Sequence, residues 1–556
     1  MRRTALTELE STRAAAGPDA DARRLELLNR LAHQPLKQAA DVLRLHEMLC
    51  YLRAYPGSPA VLAQAEAMLQ QFAARDDLRR HRRTLDDTGL HGTVLHYRFF
   101  GGQAQWLAGR WPGHLHLDRS DGAADARIAA ALPQLLTQAE ADALMELKPG
   151  GYAALDRLRG NVTDATFLLR RLAALPSTSL AREALSDAID ASHALWPGPD
   201  TPSRSSAHFR PAPLARRLDR SPVRGRPDLR AEMARPPRSV RLLPLAAGRA
   251  LADLGQAAMV TRARSLEAFS YADARDAWLI NDGDGLAYGF LGVLPERRHA
   301  LAALVGGLML RNRVPIGYLQ ADIVGRSAAL SFNTFDTFRG AEAGYTFARW
   351  LAALHHRYGT TSFTIEPYQL GHGNDEGLQS GAWWFYYKLG FRPRGEERRS
   401  MAEREVRRLA GRPGARSSRR TVLALAAEHL CFDIDAARPL PIPQPAALGL
   451  AAGAALSRRS GADREAAVAA CSEELLRWCG LEGWPGFTAD ERRAWERLAP
   501  IVALLDVAAW PGDARQALGA LMRAKGAAGE RDFVLKAIAH PHFEAALAAH
   551  AAASAP

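Results

Sequence analysis

The stretch Arg339-Gly340-Ala341-Glu342-Ala343-Gly344, with Phe385-Tyr386-Tyr387-Lys388-Leu389-Gly390-Phe391 further along the same segment, decides how this chain reads. A glycine-bearing turn that opens a helix directly after a strand aims several backbone N–H groups and the positive helix end at one spot, a natural seat for a diphosphate. Working outward, Asp276-Ala277-Trp278-Leu279-Ile280 and Gly285-Leu286-Ala287-Tyr288-Gly289-Phe290-Leu291 flank Asn281-Asp282-Gly283-Asp284, a hairpin signal. Residues 308–311 and 316–323 flank Asn312-Arg313, a second hairpin, and Gly325-Arg326 turns the chain into a strand over 328–335. The pattern is an antiparallel meander feeding the glycine turn. A helix over 343–358 follows, with Phe347, Trp350, Leu351 and Leu354 forming one apolar stripe. Residues 362–366 read as the next strand and 378–389 as the next helix, on which Ala382, Phe385, Tyr386 and Leu389 share a face. Ahead of the meander, 246–269 reads as a helix.

The rest of the chain sets the frame. At 556 residues and 60.5 kDa it is too long for one core, so about two to four domains are expected. The net charge of +12 and the sequence pI of 9.8 raise the question of a nucleic-acid or membrane partner. However, Lys occurs only at 37, 148, 388, 525 and 536, the rest of the positive charge is Arg, and Ala is abundant. That is the signature of a biased base composition, and it argues against nucleic acid as the partner. Cys50, Cys431, Cys471 and Cys479 have no CxxC spacing, which points to a reduced, cytoplasmic compartment without a zinc site or disulfide framework. No apolar h-region follows the basic start and no run reaches the ~20 residues of a membrane helix, so a soluble protein without membrane contact is expected.

Four regions emerge: a mostly helical domain over 1–196, a Pro/Arg-rich stretch over 197–244, the strand-rich domain over 245–396, and a helical C-terminal region over 397–556 with a Pro-rich break at 439–445. Between Arg204 and Arg241 there are 11 Arg against 3 acids, which predicts an exposed linker or lightly docked loop, or else a basic arm gripping phosphate. His355-His356 and His540-Pro541-His542 have no carboxylate or Cys ligands at metal spacing, so no metal is expected. Trp383-Trp384 suit either a pocket wall or a core.

The order of elements from about 245 to 396, with these two motifs, resembles the GNAT superfamily of N-acyltransferases. That family holds the pyrophosphate of acyl-coenzyme A on an Arg/Gln-x-x-Gly-x-Gly/Ala turn between its fourth strand and third helix. It commonly closes with Tyr-x-Lys-Leu-Gly-Phe. The turn here fits except at its fourth position, where Glu342 replaces a small residue, and Tyr386 to Phe391 fits the second pattern. The resemblance implies an α+β fold, a GNAT-like mixed, mostly antiparallel sheet flanked by helices, between mostly α-helical N- and C-terminal regions. It implies pantetheine contact around Thr334, Phe335 and Asp336, and pyrophosphate contact from the N–H groups of Arg339, Gly340, Ala341, Glu342, Ala343, Gly344 and Tyr345. Tyr386 falls where the family often has the general acid that protonates the departing thiolate, a role suited to a phenol. The plain alternative is a core tyrosine. Asn374 is the candidate for the family's coenzyme-contacting Asn, although the stretch 369–377 is longer than usual there.

Acyl transfer also needs the amine deprotonated, for which Glu366 at a strand end and His372 in the following loop are candidates. As a carboxylate, Glu342 would repel a diphosphate if turned toward it, and would do no harm facing solvent. The leading expectation is therefore transfer of an acetyl or other acyl group from acyl-CoA to an amine by direct attack. The alternatives are a non-catalytic GNAT-like sensing or scaffold protein with helical partner-binding arms, and a transferase using an aminoacyl-tRNA donor.

Overall fold

The computed structural model describes residues 4–176, 180–211, 214–219, 222–340, 342–412 and 414–553. Helices over residues 5–81, among them α1 (Ala39–Ala54), lead into a short three-stranded antiparallel sheet of β1 (Leu95–Tyr97), β2 (Leu115–Leu117) and β3 (His193–Leu195), in the order β1-β3-β2. This small unit has its own core, including Phe99, Leu107, Ile128, Leu155 and Leu168. The early helices instead share the main core with the large sheet.

That sheet has eight strands: β4 (Ser239–Leu242), β5 (Ala272–Gly283), β6 (Leu286–Val293), β7 (Ala303–Arg311), β8 (Val314–Val324), β9 (Ser327–Thr334), β10 (Ser362–Ile365) and β11 (Leu430–Asp433). Spatial order follows chain order, and every neighbouring pair is antiparallel except β9 and β10. The meander is written in its turns. Asn312 (φ 49°) and Arg313 (φ 73°) both take left-handed backbone in the β7–β8 hairpin, the geometry whose twist matches the flanking strands. The fold is thus a mixed α+β architecture with a mostly antiparallel sheet.

Strands β6 and β7 are buried along their whole length, so both faces of the sheet are covered. On β6, Gly289 abuts Leu251 of α2 (Leu245–Val260), while the neighbouring Tyr288 donates its hydroxyl to the Thr346 carbonyl of α3 (Ala343–Tyr358) at 2.7 Å. Adjacent residues of a strand point to opposite faces, so α2 and α3 lie on opposite sides of the sheet. The stripe Phe347, Trp350, Leu351 and Leu354 is fully buried, as its spacing predicts. Buried Arg349 ties α3 to the β5 end through Asp282 at 2.6 Å.

Three expectations are corrected. The 197–244 stretch is not a bare linker: most of its described residues from Arg210 onward are exposed, but Phe209, Leu214, Leu229 and Met233 are buried in the main core, and β4 pairs with β5. The sheet is also wider than 245–396, because β4 and β11 supply its edges from either side. The helix read over 246–269 stops at Val260 and resumes only at Glu267–Ser270, with Ala263 at φ 49° between them. Asn312 holds the 197–244 stretch in place: its Nδ2 donates to the carbonyls of Ala54 and Arg217, and its Oδ1 accepts from the Arg217 amide. Asn312→Ala is accordingly expected to lower stability by about 2–3 kcal/mol and to speed tryptic cleavage over 204–230. Chemical denaturation with timed proteolysis reads both effects.

At the other end, Arg298 donates to the carbonyls of Lys525, Ala527 and Ala528, and Lys525 donates to Ala302 and pairs with Glu530. These buried bonds fix the C-terminal helices to the β6–β7 connection. Among the described residues, no helix is long and apolar enough to cross a membrane.

Candidate functional site

The parallel pair β9 and β10 diverges. Their register runs Ser362 with Ser327, Phe363 with Ala328 and Thr364 with Ala329, then β10 ends at Ile365 while β9 continues to Thr334. One edge of β9 is therefore left without a strand partner over its last residues. A cleft of about 570 Å³ occupies this region. Its walls include Ser331, Phe332, Asn333 and Thr334 of β9, Arg339, Gly340 and Ala343 at the start of α3, and Phe385 and Tyr386. The last two come from α5 (Ala382–Leu389), separated from α4 (Asp375–Ser380) by Gly381 at φ 72°, so 378–389 is two helices rather than one.

Gly340 sits at φ 78°, a conformation glycine adopts without strain. Past it the chain enters α3, and the amide N–H groups of Gly340, Ala343 and Gly344 make no hydrogen bond among the described residues. Glu342, the residue out of pattern in the turn, faces neither the cleft nor solvent. It is buried, its carboxylate pairing with buried Arg311 of β7 and accepting bonds from the Tyr55 hydroxyl (3.1 Å) and the Val223 amide (3.1 Å). Burial and Glu342 together raise the pKa of Tyr55, which keeps this phenol a donor. The carboxylate is thus neutralised by residues from β7, the N-terminal helices and the 197–244 stretch, and its charge is withheld from the turn.

Tyr386 is buried at its ring, edge-on to Phe347 at 5.4 Å and to Phe391 at 5.9 Å. Its hydroxyl has no hydrogen-bond partner among the described residues. Burial, and secondarily Tyr318 nearby, raises its pKa above the usual phenol value, so it carries its proton throughout the neutral range. Beside it, the Tyr318 hydroxyl accepts from Asn333 Nδ2 at 3.3 Å, with Arg264 Nη1 at 3.5 Å. Arg264 and Arg339 converge on Glu376, at 2.6 and 2.9 Å.

Of the residues singled out from sequence, the structure gathers Thr334, Arg339, Gly340, Ala343, Asn374 and Tyr386 around this cleft. Ala341 lies outside the described residues. Asn374 lines the wall, but its side chain caps α4, accepting from the Gly377 amide and donating to the Tyr368 carbonyl. Phe335 spends its amide on Ile316, and Asp336 is exposed and paired with Arg339 at 2.9 Å. Gly344 faces the 197–244 stretch, where an added Cβ would meet Pro227 Cδ at 3.3 Å, and the Tyr345 hydroxyl accepts from Arg235. Both candidate bases lie off the wall: Glu366 and His372 are exposed and neither lines the cleft. Trp383 is core, while Trp384 donates to Ser417. His355 and His356 are bonded to the carbonyls of Thr360 and Met233. Among the described residues, no group of His, Cys, Asp and Glu is placed to hold a metal.

Tyr318, Asn333, Arg264, Tyr368 and Glu376 are also wall residues, and no motif marks them as such. The alternation of β8 and β9 marks the first two as strand residues, but only the divergence from β10 exposes them. Comparison of the chain with protein-family models, with characterised proteins and with solved structures finds no match.

Proposed function

We propose that residues 245–396, with edge strands from either side, form a GNAT-like domain that binds acyl-CoA in the β9–β10 cleft and transfers its acyl group to an amine. The observation that carries this reading is the divergence of β9 from β10, which leaves an open strand edge leading from the glycine turn to the Tyr386 hydroxyl. An open edge offers backbone donors and acceptors that match the amides of a pantetheine arm. The free N–H groups at Gly340 and Ala343, at the positive end of α3, suit a diphosphate. Internal neutralisation of Glu342 removes the main electrostatic objection to an anion there.

In this reading the neutral amine attacks the thioester carbonyl, a C–N bond forms, and the C–S bond breaks. The nitrogen loses its extra proton to solvent, while Tyr386 gives its own proton to the departing sulfur and recovers one from solvent. Positioning in the cleft supplies most of the acceleration. A second reading, acyl-CoA binding without turnover, is favoured by one observation: the sole carboxylate on the cleft wall among the described residues is Glu376, which two arginines already hold. Free-thiol release from acetyl-CoA across a panel of primary amines separates the two. The transferase reading expects amine-dependent release. Binding of the coenzyme with no release from any amine would leave the second.

A further inference from the structure

Next to the cleft, and sharing Arg264 and Asn333 with it, is a second cavity of about 200 Å³. Its walls bring Asp87 and Thr88 from the N-terminal part of the chain and Arg204 from the 197–244 stretch up to Arg262, Arg264, Phe335 and Asp336; of the two carboxylates, Asp336 is paired with Arg339 and Asp87 accepts from the His96 amide. Two of its three arginines are matched by carboxylates: Arg204 pairs with Glu47 at 2.6 Å, and Arg264 with Glu376. Arg262 has no carboxylate partner among the described residues. Its guanidinium lies 3.7 Å from the centre of the Phe335 ring, and only Nη1 is engaged, donating to the Ala258 carbonyl and to Thr261 Oγ1. Nε is buried without a partner, and Nη2 makes no hydrogen bond among the described residues. Burial, and next the neighbouring Arg204, push this guanidinium down to about 9. A planar fork of donors stacked on an aromatic ring, with one arm unused and no carboxylate in contact, is suited to an oxyanion.

We infer that the Arg262 cavity is an oxyanion subsite that holds a carboxylate or phosphate carried by the acceptor, so that the acceptor is an amine bearing a negative group. The oxyanion subsite follows from Arg262 itself. Its assignment to the acceptor rests on the acyl-transfer reading, in which the coenzyme's diphosphate lies at Gly340 and Ala343 while this cavity lies beyond Asn333, against the N-terminal helices. Tyr318, Asn333 and Arg264 then bridge the two places, setting the amine end of such an acceptor toward Tyr386.

Calorimetric titration of the full chain with inorganic phosphate, and separately with acetate, tests this. At least one of the two is expected to bind, about tenfold more weakly to Arg262→Met and at intermediate strength to Arg262→Lys. Since Arg262→Met removes a buried charge with no carboxylate in contact, its unfolding midpoint without anions is expected to match or exceed that of the wild type. Binding of neither anion, or equal binding by wild type and Arg262→Met, would overturn the subsite, and so would a large loss of stability in Arg262→Met, which would make Arg262 a structural prop. Repeating the titration in protein saturated with coenzyme A is expected to leave the anion binding intact, whereas its loss would overturn the assignment to the acceptor. If coenzyme A does not bind at all, anion binding lost in Arg262→Met still upholds the subsite, while the acyl-transfer reading falls separately.

Discussion

Replacing Glu342 with Ala is expected to lower stability by about 3–5 kcal/mol, the largest effect of any single change considered in the turn. The reason is the fate of Arg311. With the carboxylate gone, a guanidinium only 3% exposed at its side chain stays in the core facing the Tyr55 ring, with no opposite charge to offset its desolvation. The Val223 amide and the Tyr55 hydroxyl lose an acceptor at the same time. The double variant Glu342→Leu with Arg311→Met removes both charges together and is expected to recover most of the loss, since an apolar pair of similar volume fills the same space. Denaturant midpoints of the wild type, Glu342→Leu, Arg311→Met and the double variant close the cycle. Additive losses would mean that the two residues do not interact, and the turn would then have to tolerate a free carboxylate. By the same geometry Glu342→Gly removes a structural anchor, so any change it makes in coenzyme binding must be judged against the loss of fold.

Tyr386→Phe is expected to lower turnover about 10²-fold or more while leaving stability within about 0.5 kcal/mol of the wild type. The two halves come from one observation. The ring packs against Phe347, Phe385 and Phe391, and phenylalanine keeps those contacts, whereas the hydroxyl has no hydrogen-bond partner among the described residues that its removal would leave unsatisfied. Affinity for the coenzyme is expected to change little, because the proton is needed only as the sulfur departs. An unchanged turnover would take Tyr386 out of the chemistry, and a marked loss of stability would show that its hydroxyl has a structural role.

What could be read from the sequence was local. Asn312-Arg313 and Gly325-Arg326 announce their hairpins because the turn conformations select those residues, and the stripe on α3 announces its buried face by spacing alone. The glycine turn and Tyr386 were visible for the same reason. The partners of Glu342 were not. They lie 31, 119 and 287 residues away along the chain, at Arg311, Val223 and Tyr55, and no local pattern encodes such a meeting. The 197–244 stretch misled because its apolar residues are sparse among Pro and Arg, with only Leu229 and Met233 at helical spacing on a six-residue helix, yet Phe209, Leu214, Leu229 and Met233 are all buried. Strand β11 was hidden by its length of four residues between helical segments. The divergence of β9 and β10 is likewise a property of two strands together, so the residues it opens, Tyr318 and Asn333 among them, had no signal of their own.

The central claim is that the cleft between β9, α3 and α5 binds acyl-CoA through the glycine turn. Calorimetric titration of the full chain with coenzyme A tests it most directly, with Ala343→Glu as the companion variant, since Ala343 lines the cleft at the start of α3 and a carboxylate there would face the diphosphate without an Arg311 to neutralise it. A dissociation constant in the range of about 1–100 µM is expected for the wild type, weakened at least tenfold in a normally folded Ala343→Glu. No heat from the wild type at about 1 mM coenzyme A, or equal affinity in the two proteins, would contradict it.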